Sequence, residues 1–381
     1  MISTRALPMV AGAMLLAGAV PAHAVTVQRT SFGKLSDGTQ IEAVTMTNAR
    51  GVSARIITFG ASIQSLVAPD RAGRRADVAL GYPDAAAYED HGTHFGASVG
   101  RFANRIANGR FELDGRSHQL AKNDNGVAAL HGGERGFSKQ PWRILNVTSG
   151  PVASVTMGLT SPDGDQGYPG TLTVTVTYSL DEKNDLKVDY RAGTDRPTVI
   201  NLTSHGLFNM AGEGAPNDAM GNRLTIYADR YTPVDANLIP TGVLAPVAGT
   251  PLDFRTPQLV KTRVRDGRHP QIVLGRGYDH NYVLRGPSGT LRLAARLEDP
   301  VSGRRMDILS DQPGIQFYSG NFIDGTAVGK SGKVYRMGDG VALEPQHFPD
   351  SPNRPSFPSV RLDPGREYKN VMVFRLGVAP R

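Results

Sequence analysis

The feature that most constrains this chain is a two-residue alternation of apolar and polar side chains, clearest at Thr171 to Leu180 (TLTVTVTYSL). Successive side chains of an extended strand point to opposite faces, so such a run buries one face and leaves the other to water. The alternation returns at Leu186 to Arg191, Leu224 to Tyr227, Leu291 to Leu297 and Val371 to Leu376. Turn-forming residues punctuate the chain between such runs, as at Ser161-Pro162-Asp163-Gly164-Asp165, Asp114-Gly115 and Asp324-Gly325. Helical periodicity is scarce, and Asp84 to Tyr88 is expected to make a single turn. Many short strands with few helices predict an all-β chain folded as a large antiparallel β-sandwich. A propeller would need blade-length repeats, and no fixed period stands out.

The 381 residues include no cysteine, so stability must come from a large core rather than from disulfides. At the N-terminus Arg5 precedes an apolar run from Leu7 to Val20, and Ala22-His23-Ala24 has the small-x-small form of a signal-peptidase site. The run is short for a mature membrane span. Residues 1–24 are therefore expected to be a signal peptide cleaved after Ala24, leaving an exported chain, periplasmic or secreted, with no membrane association. No low-complexity linker divides residues 25–381, which are expected to form one domain. The formal net charge is +7, but the basic residues are scattered in short groups such as Arg71, Arg74 and Arg75. Without a basic helix or interleaved aromatics, no nucleic-acid partner is expected, and the charge reads as solubility. The absence of an exposed heptad or long apolar patch argues for a monomer or weak dimer.

The stretch from Ala342 to Gly365, ALEPQHFPDSPNRPSFPSVRLDPG, ends a short apolar run with Glu344 and then becomes dense in proline. Each proline fixes φ and removes a donor, so the segment is expected to be a rigid extended loop, neither helix nor central strand. A stiff support of this kind suits a preorganised carboxylate, although a solvated surface glutamate fits the segment equally well.

Other polar clusters fall where strands meet loops. Asn104 and Arg105, in GRFANRIANG, offer directional donors among small residues. His131, in LHGG, joins an imidazole to a flexible turn, and the only tryptophan, Trp142, follows as a surface on which a sugar could stack. His205 lies in NLTSHGLFN, where Asn201, Thr203, Ser204 and Asn209 are expected to orient the ring for acid/base work. Asp279 sits between Tyr278 and Tyr282 at a strand entry, and Gln316 and Asn321 occupy the segment GIQFYSGN. A metal site built from His131, His205, His280 and Asp279 is the competing reading, but neither HxH nor HExxH spacing occurs, so no metal is expected.

Taken in order, these segments resemble the aldose 1-epimerase (galactose mutarotase) family. The resemblance spans nearly the whole chain after the leader: NRIANGRF at Asn104 to Phe111, LHGG at Leu130 to Gly133, NLTSHGLFN at Asn201 to Asn209, YTPVDANLIPTG at Tyr231 to Gly242, GYDHNYVL at Gly277 to Leu284, QFYSGNFIDG at Gln316 to Gly325 and EPQHFPDSPN at Glu344 to Asn353. It implies a mutarotase-like supersandwich and a cofactor-free isomerase that interconverts α and β anomers of aldoses. On matching positions, Glu344 resembles the general base and His205 the general acid. Arg105, His131, Asp279 and Gln316 resemble substrate-binding and orienting residues, with Asn104 a further contact. One departure is Leu207, where the family usually carries Tyr, which removes a hydroxyl contact and leaves the preferred sugar open.

The residues fit that chemistry on their own terms. Mutarotation removes a proton from the anomeric hydroxyl while donating one to the ring oxygen, so it needs a base and an acid together and no metal or nucleotide. Such a pair is expected to occupy opposing environments, with His205 charged and Glu344 ionised. Two other classes use the same groups. A glycosidase would pair Glu344 with Asp279 or Asp350, and a non-catalytic exported sugar-binding module would bind sugar without reaction.

Overall fold

The computed structural model describes residues 24–380. The leader expected over residues 1–24 therefore lies, apart from Ala24, outside the described residues. Three antiparallel sheets dominate, with two short α-helices at Ala85–His91 and Pro270–Gly275. The expected single turn at 84–88 is longer than expected, because the Asp84 side chain accepts the Ala87 N–H and caps a helix that runs to His91.

The alternating runs form the largest sheet, of nine strands. Leu172–Asp181 and Asp185–Thr194 are a hairpin in its middle, and Tyr368–Val378 pairs with the latter and with Arg304–Ser310. Val174, Val176, Tyr178, Leu186, Val188 and Tyr190 are buried from this sheet, in keeping with period 2. A five-stranded meander over Thr26–Lys34 to Arg75–Asp77 contributes Val44, Met46, Ile56 and Ile63 to the same core. A six-stranded sheet contributes Tyr282, Ile315, Phe317, Val341 and Leu343. Sheets that share one apolar filling are the layered antiparallel sandwich that the alternation predicted.

The six-stranded sheet positions the site. Its strands run in the order Leu207–Phe208, Val341–Gln346, Gly314–Tyr318, Asp279–Leu284, Ala228–Tyr231 and Ala245–Pro246. One face of the central strands packs into the core, so residues one position away face the opposite side. The register sets Asp279 opposite Tyr318, and Gln316 opposite Glu344.

This placement corrects the reading of the proline-rich segment. Val341–Gln346 is a strand paired on both sides, with Leu207–Phe208 and with Gly314–Tyr318. Pro345 is tolerated because its carbonyl points away from Gly314–Tyr318 and accepts from Thr203 Oγ1 (2.9 Å) and Asn370 Nδ2 (3.1 Å). The missing N–H lies on that same edge, beyond the reach of the short Leu207–Phe208 strand, so no ladder bond is lost. The irregular, proline-rich part begins only after Gln346, with a 3-10 turn at Ser351–Asn353.

Candidate active site

A cavity of about 340 Å³ opens above the outer face of the six-stranded sheet. Asn104, Arg105, His131, His205, Asp279 and Glu344 line it together, although they come from segments far apart in sequence.

Glu344 is 2% exposed, and its Oε2 finds no hydrogen-bond partner. Burial, with the neighbouring Asp279 charge, pushes its carboxyl well above the usual carboxylate range. His205 ends the strand Thr203–His205, which pairs with Ala97–Val99, and its Nε2 stands 3.8 Å from Oε1 of Glu344. Burial pushes the His205 imidazole down to about 4. The expectation of opposing environments is thus corrected. Both groups are desolvated, and desolvation disfavours each charged form.

Asp279 is held from two sides. Gln316 Nε2 donates to its Oδ1 at 2.7 Å, and Arg105 Nη1 approaches its Oδ2 at 3.6 Å. Burial raises the Asp279 carboxyl, and the Arg105 charge and the Gln316 hydrogen bond oppose that rise. Arg105 is itself aimed by Asp124, whose Oδ2 accepts from Nε at 2.7 Å. Gln316 thus stands beside Asp279, with its Oε1 left without a partner.

Asn104 and His131 lock each other. The Asn104 backbone N–H donates to His131 Nδ1 at 3.2 Å, and the His131 backbone N–H donates to the Asn104 carbonyl at 3.1 Å. Both residues adopt left-handed backbone conformations, with φ of 64° and 52°. Because Nδ1 is an acceptor, a neutral His131 carries its proton on Nε2 and remains a donor. Burial and the His94, His205 and Arg105 charges keep the ring neutral. The adjoining Gly132 (φ 86°) is required by close approach, since a Cβ there would lie 1.9 Å from the Gly100 carbonyl oxygen.

Several expected roles are not met. Trp142 is buried, donates its indole N–H to the Phe137 carbonyl and offers no sugar-stacking face. Tyr278 and Tyr282 belong to the core, with hydroxyls bound to Pro251 and Leu252 carbonyls, because alternation turns them away from Asp279. Asn201, Thr203 and Asn209 bond to backbone carbonyls elsewhere, and neither they nor Ser204 orients the His205 ring. Asn321 ties down the Gly275 and Tyr278 carbonyls. His280 turns toward Tyr231 on the opposite face, so the quartet considered for a metal is not assembled. Asp350 is spent on the Ala107 N–H, Asn353 and Arg354, outside the cavity, which removes one of the two glycosidase pairings.

His94 lines the cavity and escaped the sequence reading. His94 packs its ring 4.7 Å from His131 and 5.6 Å from His205, and its Nδ1 shares a hydrogen bond with Ser138 Oγ at 2.9 Å. The only local signal was a histidine in a glycine-bounded loop, Gly92 to Gly96, ten positions ahead of Asn104.

The comparisons agree with this geometry. Residues 42–375 match the model of the aldose 1-epimerase family. The chain is 44% identical to galactose mutarotase of Rattus norvegicus over 355 residues, covering 93% of this chain and all of the relative. It is 36% identical to aldose 1-epimerase of Escherichia coli (strain K12) over 341 residues, covering 89% and 96%. The crystal structure of galactose 1-epimerase from Lactobacillus acidophilus NCFM superimposes with a TM-score of 0.81 at 26% identity, covering 93% of this chain and all of that one. With the buried carboxylate and imidazole side by side in the shared cavity, the chain belongs to the aldose 1-epimerase family, isomerases that interconvert the α and β anomers of aldoses.

Proposed function

We propose that Glu344 and His205 perform this interconversion as base and acid, on aldoses such as galactose or glucose. The observation that carries the assignment is the 3.8 Å separation of the two groups, too long for a mutual hydrogen bond and suited to serving two oxygens bonded to one carbon. In the reactive form the pair holds one proton, on His205. Glu344 takes the proton of the anomeric hydroxyl, the C1–O1 bond becomes a carbonyl, the C1–O5 bond breaks, and O5 receives the His205 proton. Ring opening thus converts a charged pair into a neutral one, the state that burial favours. Rotation about C1–C2 presents the other carbonyl face, and the reverse transfers close the ring as the opposite anomer. Asp279, Arg105 and neutral His131 hold the remaining hydroxyls, and Asn104 fixes the His131 tautomer.

The paired acid and base supply ~10²–10⁴-fold each, which suffices for a reaction that already proceeds in water. Polarimetry of freshly dissolved α-glucose and α-galactose tests the reading: the enzyme speeds the decay of rotation, whereas a sugar-binding module leaves it unchanged. The reading extends to an exported protein, supported by the Ala22-His23-Ala24 cleavage pattern. N-terminal sequencing of the protein from a periplasmic or culture fraction is expected to begin at Val25.

A further inference from the structure

Three imidazole rings pack against one another in the cavity lining, and the transfers described above use only two of them. His205 serves the ring oxygen and His131 a hydroxyl, but the third, His94, has no role yet. Its ring centroid lies 4.7 Å from that of His131 and 5.6 Å from that of His205. The backbone that carries it is pinned. The next residue, Phe95, is buried with its ring 5.3 Å from Tyr82 and 5.4 Å from Tyr335. The Gly96 N–H donates to the His205 carbonyl at 3.0 Å, and a Cβ on Gly96 would collide with the Ile63 carbonyl oxygen. His94 is thus carried on a segment stitched to the acid residue itself, which fixes its ring relative to the reacting groups.

The proton of His94 follows from its one protein partner. Nδ1 stands 2.9 Å from the hydroxyl of Ser138, a residue only 2% exposed whose hydroxyl has no other partner among the described residues. A buried hydroxyl with a single acceptor in reach donates to it. Nδ1 therefore accepts, and Nε2 carries the proton of a ring that burial and the His205 and Lys139 charges keep neutral. That Nε2–H has no partner among the described residues and is not sealed in, while the ring borders the cavity. A sugar that covered it without offering an acceptor would strand a donor, at a cost that a plain phenyl ring would avoid. We propose that the His94 Nε2–H donates to a non-anomeric hydroxyl oxygen of the reacting aldose, so that His94 selects among aldoses by that hydroxyl. The inference rests on the reading that Glu344 and His205 act on an aldose bound in this cavity. His131 presents the same kind of donor beside it, so the two rings serve two oxygens of one pyranose.

A cycle between protein and substrate tests this. Mutarotation of galactose and of its 2-, 3-, 4- and 6-deoxy analogues is followed by polarimetry with the purified enzyme and its His94→Phe and His94→Ala variants. On galactose, His94→Phe is expected to raise KM about tenfold with kcat held within about threefold. On the one analogue that lacks the contacted hydroxyl, the substitution is expected to cost nothing further, while on the other three the loss of about tenfold remains. His94→Ala, which adds no bulk, is expected to give the same pattern and carries the test if the phenyl ring prevents folding. The proposal is overturned if the variants hold kcat/KM within about twofold on every sugar, or if the loss is equal on all four analogues, as a purely structural role would give. Failure of the underlying reading looks different, because the unsubstituted enzyme would then accelerate neither galactose nor glucose.

Discussion

The imidazole of His205 and the carboxyl of Glu344 meet edge to edge without bonding, 3.8 Å apart, and each is buried among groups that leave part of it without a partner. A resting pair in mutual hydrogen bonding would have to break before serving a sugar; this pair does not. Glu344→Gln removes the base and keeps the shape. Its kcat is expected to fall ~10²–10⁴-fold, and His205→Asn to fall similarly. The double variant is expected to lose little more than either single one, because the two groups act in one transfer. Polarimetry of purified variants on α-galactose reads all three, and full activity in Glu344→Gln would remove the carboxylate from the mechanism.

The pH dependence follows from the proton count of the pair. Below about 4, where His205 becomes protonated, Glu344 already holds a proton, so no base remains. Rising pH finally removes the shared proton, at a value set by a carboxyl lying well above its usual range, and then no acid remains. Activity is expected to be bell-shaped, with an acid limb near 4 and an alkaline limb displaced upward from an ordinary glutamate. Both limbs belong to the pair rather than to one residue. A kcat/KM profile that is flat from acid to alkaline pH would sink the assignment.

Gly132 carries a stability prediction. Gly132→Ala sets a Cβ against the Gly100 carbonyl oxygen at 1.9 Å, in backbone with φ of 86°. Neither backbone segment can yield cheaply, and a loss of about 3 kcal/mol is expected. Gly115→Ala is the control: φ is 73° but nothing lies within 4 Å, so about 1 kcal/mol is expected. Denaturant melts of the two variants separate crowding from backbone preference, and equal losses would argue against the close approach.

Strand content and the sandwich were legible because alternation is a local property that tertiary packing exploits directly, as Leu172–Asp181 and Asp185–Thr194 illustrate. The strand carrying Glu344 was not legible, because Pro345 fits it only through partners supplied by Thr203 and Asn370, far away in sequence. His94 escaped for a related reason. Its place beside His131 and His205 depends on three distant segments meeting, which no period announces. Gln316 was identified by resemblance as a substrate-binding or orienting residue, and its amide bonds to Asp279, a partner that only the paired strands reveal.

That indirect position of Gln316 can be separated from direct participation. Its Nε2 donates to Asp279 Oδ1 at 2.7 Å, and its strand lies between those of Asp279 and Glu344. Gln316→Leu keeps much of the volume and removes the donor. Asp279, already raised by burial, then loses a bond that favours its charged form and one of its two anchors. Binding of the sugar hydroxyls weakens in the ground state and the transition state alike. KM for galactose is therefore expected to rise about tenfold with kcat held within about threefold, and Gln316→Glu to behave worse, since a second carboxylate would face Asp279. Steady-state mutarotation assays coupled to a β-specific sugar dehydrogenase measure both constants. A fall in kcat at constant KM would instead place the Gln316 amide against the reacting atoms, and Asp279 would lose its status as the group through which it acts.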